Sequence, residues 1–369
     1  MFDPERVGGK RIPASPGSLL RDEGGGILLF ASMQFTLLIY TVKRILYAFP
    51  TILGLLVLVF VISRVIPADP AALVAGEMAT PEQVMELRQR YHFDDPLYVQ
   101  LGLYFKQLAR GDLGKSLYSG RKVLDDLLDR FPATLELTLV SMFLSILIGV
   151  PLGIVAALKR NSTLDHLLRG VTVGGLAIAS FWLGIMLQLF LSMWLGITPL
   201  GGRIDTGAPS SITGMYILDS LLTLNGEALW SSIRHMALPS LTLAFASFAT
   251  ITRFTRSGVL DVIQQDYILY ERSMGLPPRI IIYKYMLRNA IIATVTQIGL
   301  LFGLLLAGTV VIETVFDWPG LGLYAYNAIV LSDYQAILGV TLWAGIAYVT
   351  VNLLVDVAIS LIDPRKAEL

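Results

Sequence analysis

The chain of 369 residues contains no cysteine. Disulfides, thiolate metal sites and a cysteine nucleophile are therefore excluded. Histidine is nearly as scarce. His92, His166 and His235 lie far apart, and none has a second histidine at helical spacing. They read as surface or interface side chains, and no metal site is expected. Charge is also sparse: Asp, Glu, Lys and Arg make up 15% of the chain, against about 25% in soluble domains. The 28 basic and 28 acidic side chains cancel, so the basic face of a nucleic-acid binder is missing. No cluster of His, Asp or Glu stands at catalytic spacing, and no catalytic residue is expected, which disfavours a membrane-embedded enzyme. Gly114-Lys115-Ser116 resembles the end of a phosphate-binding loop, but Ala109 stands where that loop needs Gly. An amphipathic helical pattern precedes it in place of a buried strand, so the chain does not cradle ATP in the standard way.

What is abundant is apolar sequence: 54% hydrophobic residues and a mean hydropathy of +0.67. The reading is an all-α integral membrane protein with six transmembrane helices, near 45–66, 134–158, 171–195, 236–255, 289–312 and 335–362. Each is long enough to cross with some tilt. Residues 1–36 form an N-terminal extension, disordered or interfacial, and 37–66 the first span with its lead-in. Residues 67–133 form a small helical insertion between the first two spans, and 134–365 the core of five spans with a polar loop at 260–288. Pro81 is expected to start a capped helix after Thr80, and Pro96 to Leu108 an amphipathic one.

Short loops set the orientation. Lys159, Arg160 and Arg169 lie between the second and third spans. Arg253, Arg256, Arg272, Arg279, Lys284 and Arg288 lie at or between the ends of the fourth and fifth. Residues 313–334 carry no basic side chain. Both termini and the 260–288 loop are therefore expected in the cytoplasm, and the 67–133 insertion outside. Asn161-Ser162-Thr163 is a glycosylation sequence that falls on the cytoplasmic side, and reads as chance.

Within the polar loop, Asp266 to Gly275 has helical character. Gly275-Leu276-Pro277-Pro278 stops it, and a second helix can start at Pro278. Ionisable residues in or near spans are expensive and face a pathway or a partner. Glu136 and Asp356 are candidates, Asp356 forming with Asn352 a polar patch suited to a neighbouring helix. Arg253 and Arg256 read as snorkelling at the membrane edge. Recurrent small residues, among them Gly149, Gly153, Gly299 and Gly303, permit close helix packing. Trp318-Pro319-Gly320 reads as a turn whose aromatic anchors the membrane edge.

Several ordered strings carry a resemblance. Asp266-Tyr267, Glu271-Arg272-Ser273-Met274-Gly275-Leu276 and Leu287-Arg288-Asn289-Ala290 resemble the coupling loop of ABC importer permeases of the dipeptide, oligopeptide and nickel branch. Three positions depart from the branch's usual pattern: Glu271 and Ser273 replace Ala, and Met274 replaces Lys. Further strings match at 95–100, 110–116 and 130–135, at 313–322 from Glu313 to Gly322, and at Asp333-Tyr334. The resemblance spans about 40–365.

It implies the type I ABC importer permease fold in a bacterial or archaeal inner membrane, and a solute-transport role by alternating access. Asp266, Tyr267, Glu271, Arg272, Ser273, Met274, Gly275, Leu276 and Pro277 would dock on an ATPase subunit. Glu313, Phe316, Trp318, Pro319 and Gly320 would belong to the pathway or outer gate. The implied partners are a second, related permease subunit, two ABC ATPase subunits that hold the ATP and Mg, and an extracytoplasmic solute-binding protein. No cofactor is expected in this chain. Di- or oligopeptides are the leading solute; nickel, glutathione, opines and sugars use the same branch. A stand-alone secondary transporter is the remote alternative. It calls for inverted repeats and midplane charges, and the sequence shows few such charges and no convincing repeat.

Overall fold

The computed structural model describes residues 46–47, 49–62, 80–90, 94–205 and 207–362. The N-terminal extension, most of the lead-in to the first span, His92 and Asp363-Pro364-Arg365 lie outside them, as does the side chain of Asp356. The described residues are helical, with one isolated β-bridge between Lys115 and Lys122.

In chain order α1 is Phe49–Ile62, α2 Pro81–Arg90, α3 Leu97–Leu108, α4 Val123–Leu158 and α5 Thr163–Ala177. Then come α6 at Ser180–Trp194, α7 at Tyr216–Leu222, α8 at Gly226–Ile263 and α9 at Asp266–Ser273. Pro278–Ile280, Ile281–Met286 and Leu287–Val315 join as α10, with the middle piece in π geometry. α11 is Leu321–Val330 and α12 Tyr334–Ile362. Local chemistry places the starts. Thr80 and Gln83 form a reciprocal capping box before α2: the Gln83 amide donates to Thr80 Oγ1 at 3.4 Å, and the Thr80 amide to Gln83 Oε1 at 3.0 Å. Ser162 caps α5 and Asn225 caps α8 through their side-chain oxygens.

Four helices, Val123–Leu158, Gly226–Ile263, Pro278–Leu306 and Tyr334–Val355, are long and apolar enough to cross a membrane. A fifth crossing exists if α5 and α6 count as one span, but they meet at 102°. The expected straight helix at 171–195 is thus two. Ile178 and Ala179 at the break adopt extended backbone, and neither is Gly or Pro, so no local signal announces it. The second expected span begins eleven residues earlier than 134, because α4 runs on through Pro132. A proline inside a helix frees one carbonyl and crowds the preceding turn, but it does not end this one. The fourth expected span likewise lengthens at both ends around Pro239. Where the first span is expected, the described residues give only the 14 residues of α1, short of the about 20 a crossing needs.

The bundle is built on α8, whose apolar stretch is 78% buried, against 11% for that of α12. α4, α5, α6, α7 and α10 pack on α8. Gly149 and Gly153 on α4 make the closest approach possible. A Cβ at Gly153 would stand 2.7 Å from the Thr252 carbonyl oxygen and 2.6 Å from Thr255 Cβ. One at Gly149 would stand 3.0 Å from the Phe248 oxygen. This Gly-x-x-x-Gly spacing brings two backbones together where lipid supplies no hydrophobic drive between helices. The Thr252 hydroxyl donates across to the Gly149 carbonyl at 3.2 Å. Other buried hydroxyls, such as Thr138, Ser141 and Thr242, return to a carbonyl one turn back in their own helices.

Replacing Gly153 with Leu is therefore expected to lower thermal stability in detergent by about 1–3 kcal/mol through overpacking. Gly174→Leu, where nothing lies within 4 Å, serves as the control and is expected to melt as the parent does.

Candidate functional site

At one end of the bundle, α9 is a short helix pegged in place. Asp266 opens it, a favourable charge at a helix start. Ile268 is fully buried among Ala157, Val259, Ile281, Met286 and Ala290, and Leu276 packs on the same cluster. Gly275 then takes φ +75°, a left-handed geometry that side chains resist. Its amide donates to the Arg272 carbonyl at 3.0 Å. Pro277 is extended and Pro278 opens the next helix. The Tyr267 hydroxyl accepts from Asn289 Nδ2 at 2.8 Å, which ties α9 directly to α10. Glu271 is partly buried; Tyr267, Arg272, Ser273, Met274 and Pro277 are exposed. With Leu269 and Tyr270, both more than 60% exposed, they present an apolar and aromatic face away from the bundle.

A buried ion pair stands beside this end. Asp165, fully buried on α5, accepts from Arg256 Nε at 2.7 Å and Nη2 at 3.0 Å, and from Arg169 at 2.9 Å. It also takes the Asn161 amide at 3.0 Å. Arg256 therefore does not snorkel, as its place at a span end suggests; it clamps α5 to α8. Arg253 instead lies 5.6 Å from the Phe254 ring.

At the opposite end, Glu313 is fully buried near the end of α10. Its Oε1 accepts the Thr134 hydroxyl at 2.7 Å, and its Oε2 the Gly322 amide at 2.6 Å and the Leu323 amide at 3.1 Å. Thr134 in turn accepts the Leu321 amide at 2.8 Å. One carboxylate thus caps the start of α11 and fastens it to α4 and α10. Trp318 is 1% exposed, and its indole nitrogen donates to the Ala133 carbonyl at 3.0 Å. Phe316 and Gly320 are buried too, while Pro319 is exposed. Trp318 is accordingly a buried peg and not the membrane-edge anchor its sequence suggests. Within this chain Glu313, Phe316 and Trp318 do not reach a surface.

At the rest of this end the sequence singled out Glu136 as a pathway or partner residue but gave no sign of the partners that hold it. Glu136 pairs with buried Arg203 at 2.6 Å and accepts the Ile217 amide at 2.7 Å. Arg203 stacks 3.9 Å from the Tyr216 ring centroid. Glu136 is thus committed to holding the 198–215 loop. Asp219 accepts the amides of Ile212, Thr213 and Gly214 and the Thr213 hydroxyl. Burial works to raise its pKa, but the Thr213 hydroxyl and the three amides outweigh it and hold the carboxyl below an aspartate's ordinary 3.8. His235 is 5% exposed, with Nε2 3.3 Å from Asp205, and is not a surface histidine. Ser116 of the rejected phosphate-loop string donates to buried Asp333 at 2.6 Å. Asp333 also takes the Leu117, Tyr118 and Ala336 amides. Among the described residues no group of three or more His, Asp or Glu is placed to hold a metal.

Residues 149–368 match the family described as binding-protein-dependent transport system inner membrane component, and residues 37–138 its N-terminal companion. The chain belongs to that family. It is 44% identical over 314 residues to the probable D,D-dipeptide transport system permease protein DdpB of Escherichia coli, covering 85% of this chain and 92% of that one. It is 38% identical to a dipeptide transport system permease protein DppB of Alkalihalophilus pseudofirmus, over 89% of this chain and 99% of that one. A solved methionine ABC transporter aligns over 64% of this chain and 96% of that one at 18% identity, with a TM-score of 0.47. A likeness that loose carries no argument. As a member of this family the chain is a multi-pass inner-membrane transport component of an ABC importer and not an enzyme.

Arg203→Ala strands Glu136 as a buried, unpaired charge. It is expected to destabilise the permease by about 3–5 kcal/mol, read as a fall in the detergent melting point. Because Asp219 titrates lower folded than unfolded, its contribution is present above pH 3.8 and is lost as pH falls through the folded-state value. Hydrogen exchange of the 212–214 amides is expected to accelerate on acidification below that point in the parent, and to be fast at all pH values in Asp219→Asn.

Proposed function

We propose that this chain is the permease subunit of an ATP-driven dipeptide importer and forms half of its translocation path by alternating access. The observation that carries the reading is the set of relatives named for dipeptide transport. They align with 85–89% of this chain at 35–44% identity. The other half of the path is a second, related permease. A solute-binding protein delivers the dipeptide outside, and two ATPase subunits, which carry the ATP and Mg, dock on α9. α9 faces the cytoplasm, as do both termini. In support, Arg253, Arg256, Arg272, Arg279, Lys284 and Arg288 gather at that end of the bundle, the pattern of cytoplasmic loops.

Geometry supports a transmission route. An ATPase that grips the exposed face of α9 moves a helix held by Ile268 in the core and by Tyr267 on Asn289. Displacement passes into α8 and α10 because packed helices shift as units. At the far end of α10, Glu313 carries α11 with it through the Gly322 and Leu323 amides and ties both to α4 through the Thr134 hydroxyl. Glu313, Phe316 and Trp318 then act as the joint that converts a tilt of α10 into movement of the outer turn, with Pro319 exposed on it.

A second reading rests on a glutathione transport system permease protein GsiC of Escherichia coli, 36% identical over 88% of this chain. The two separate in proteoliposomes holding all subunits. ATP-dependent uptake of labelled dipeptide supports the first; uptake of glutathione alone supports the second and sinks the first. Gly275→Val, strained at φ +75°, and Arg272→Glu are expected to leave membrane insertion and ATP hydrolysis intact. Uptake should fall about tenfold or more, the loss of a docking contact of about 1.4 kcal/mol. Full uptake by both variants removes α9 from the coupling role.

A further inference from the structure

A cavity of about 130 Å³ opens between α4, α10, α11 and α12. Phe131 and Trp343 stand on its sides with ring centroids 5.5 Å apart, edge to face. Leu306 and Val310 line its length, and Tyr348, packed on Gly303, closes the far end. From Val310 to Gly303 it follows α10 for about 10 Å, at about 1.5 Å per residue.

The chemistry of the wall selects the occupant. Apart from half-exposed Tyr348 at the far end, its hydroxyls are already engaged: Thr134 donates to Glu313, and Thr309 to the Leu306 carbonyl at 2.9 Å. Amide groups or charges placed here would go without partners, a cost of about 2–7 kcal/mol for each unpaired polar group. A peptide is therefore a poor fit, and an alkyl chain a good one. At the end where Phe131 lies, the preceding residue Arg130 is partly exposed, and its guanidinium stacks 4.8 Å from the Tyr324 ring centroid. The carboxylates nearest in sequence, Asp126 and Asp129, are both held by Arg121. Among the described residues no carboxylate is paired with Arg130. A stacked guanidinium keeps its edge free for phosphate.

We propose that this crevice is a phospholipid site: one acyl chain lies along α10 between Phe131 and Tyr348, and the headgroup phosphate pairs with Arg130. The bound chain packs between α12, the least buried of the long helices, and the Thr134–Glu313 joint. The lipid thereby buttresses that joint from its apolar side. The site does not depend on which solute is carried.

The test is native mass spectrometry of the detergent-solubilised full chain titrated with phosphatidylglycerol. The first adduct is expected to form at lower lipid concentration than later ones. Arg130→Gln is expected to weaken that first step about tenfold, the loss of one charge-assisted contact. Ala344→Phe, which fills the crevice from its exposed side, should remove it, and Ala347→Phe is a second filling variant should the first aggregate. Adducts that form with no distinguished first step overturn the site. So does a first step unchanged by the filling variants. A step lost on filling but untouched by Arg130→Gln overturns the phospholipid assignment, leaving detergent or another apolar molecule as occupant.

Discussion

A backbone in a low-dielectric surround must satisfy its own polar groups wherever a helix ends. In this protein buried carboxylates meet that demand. Among the described residues six, Asp126, Glu136, Asp165, Asp219, Glu313 and Asp333, are each no more than 4% exposed. Five of them accept amides from a loop or helix start: Glu136 from Ile217, Asp165 from Asn161, Asp219 from the 212–214 turn, Glu313 from Gly322 and Leu323, and Asp333 from Leu117 and Tyr118. Without these acceptors the amides would be buried and unpaired, at about 1–3 kcal/mol each. Three of the six are also balanced by arginine: Asp126 by Arg121, Glu136 by Arg203, and Asp165 by Arg256 and Arg169.

This explains why the two ends of the bundle differ. At the α9 end the charge is mostly outside, and α9 is held by apolar pegs, chiefly Ile268. That leaves its exposed face free for another protein. At the opposite end the charge is inside, and loops are stitched to α4 by Thr134, Glu136 and the Ala133 carbonyl. α8 and the Gly149–Gly153 contact join the two. A force applied at α9 therefore meets a stiff core and emerges at a joint made of hydrogen bonds, which break and re-form more readily than packed backbone.

Much of the α9 end was legible in the sequence. Gly275 followed by two prolines dictates a stop and a restart, and Pro278 opens the next helix as proline at a first turn should. Thr80 followed by Pro81 likewise announced α2. The charged residues were harder to read. Sequence alone treats an ionisable group near a span as a pathway or an edge residue. Glu136 and Arg256 are neither, because their partners Arg203 and Asp165 lie 67 and 91 positions away. Spacing along one helix carries no trace of such pairs. The break at Ile178-Ala179 was hidden because neither residue is a glycine or proline, the usual local stops.

Composition and local pattern determined that this chain lives in a membrane, lacks thiol chemistry, and carries one basic, helical loop between two long apolar helices. These follow from hydropathy and from residues whose own backbone limits are strict, glycine and proline above all. Which carboxylate holds which loop, which glycines touch, and that Trp318 points inward were decided only by the tertiary structure. Each of those is a contact between segments far apart in sequence, fixed when close packing and the need to pair every buried polar group are met together.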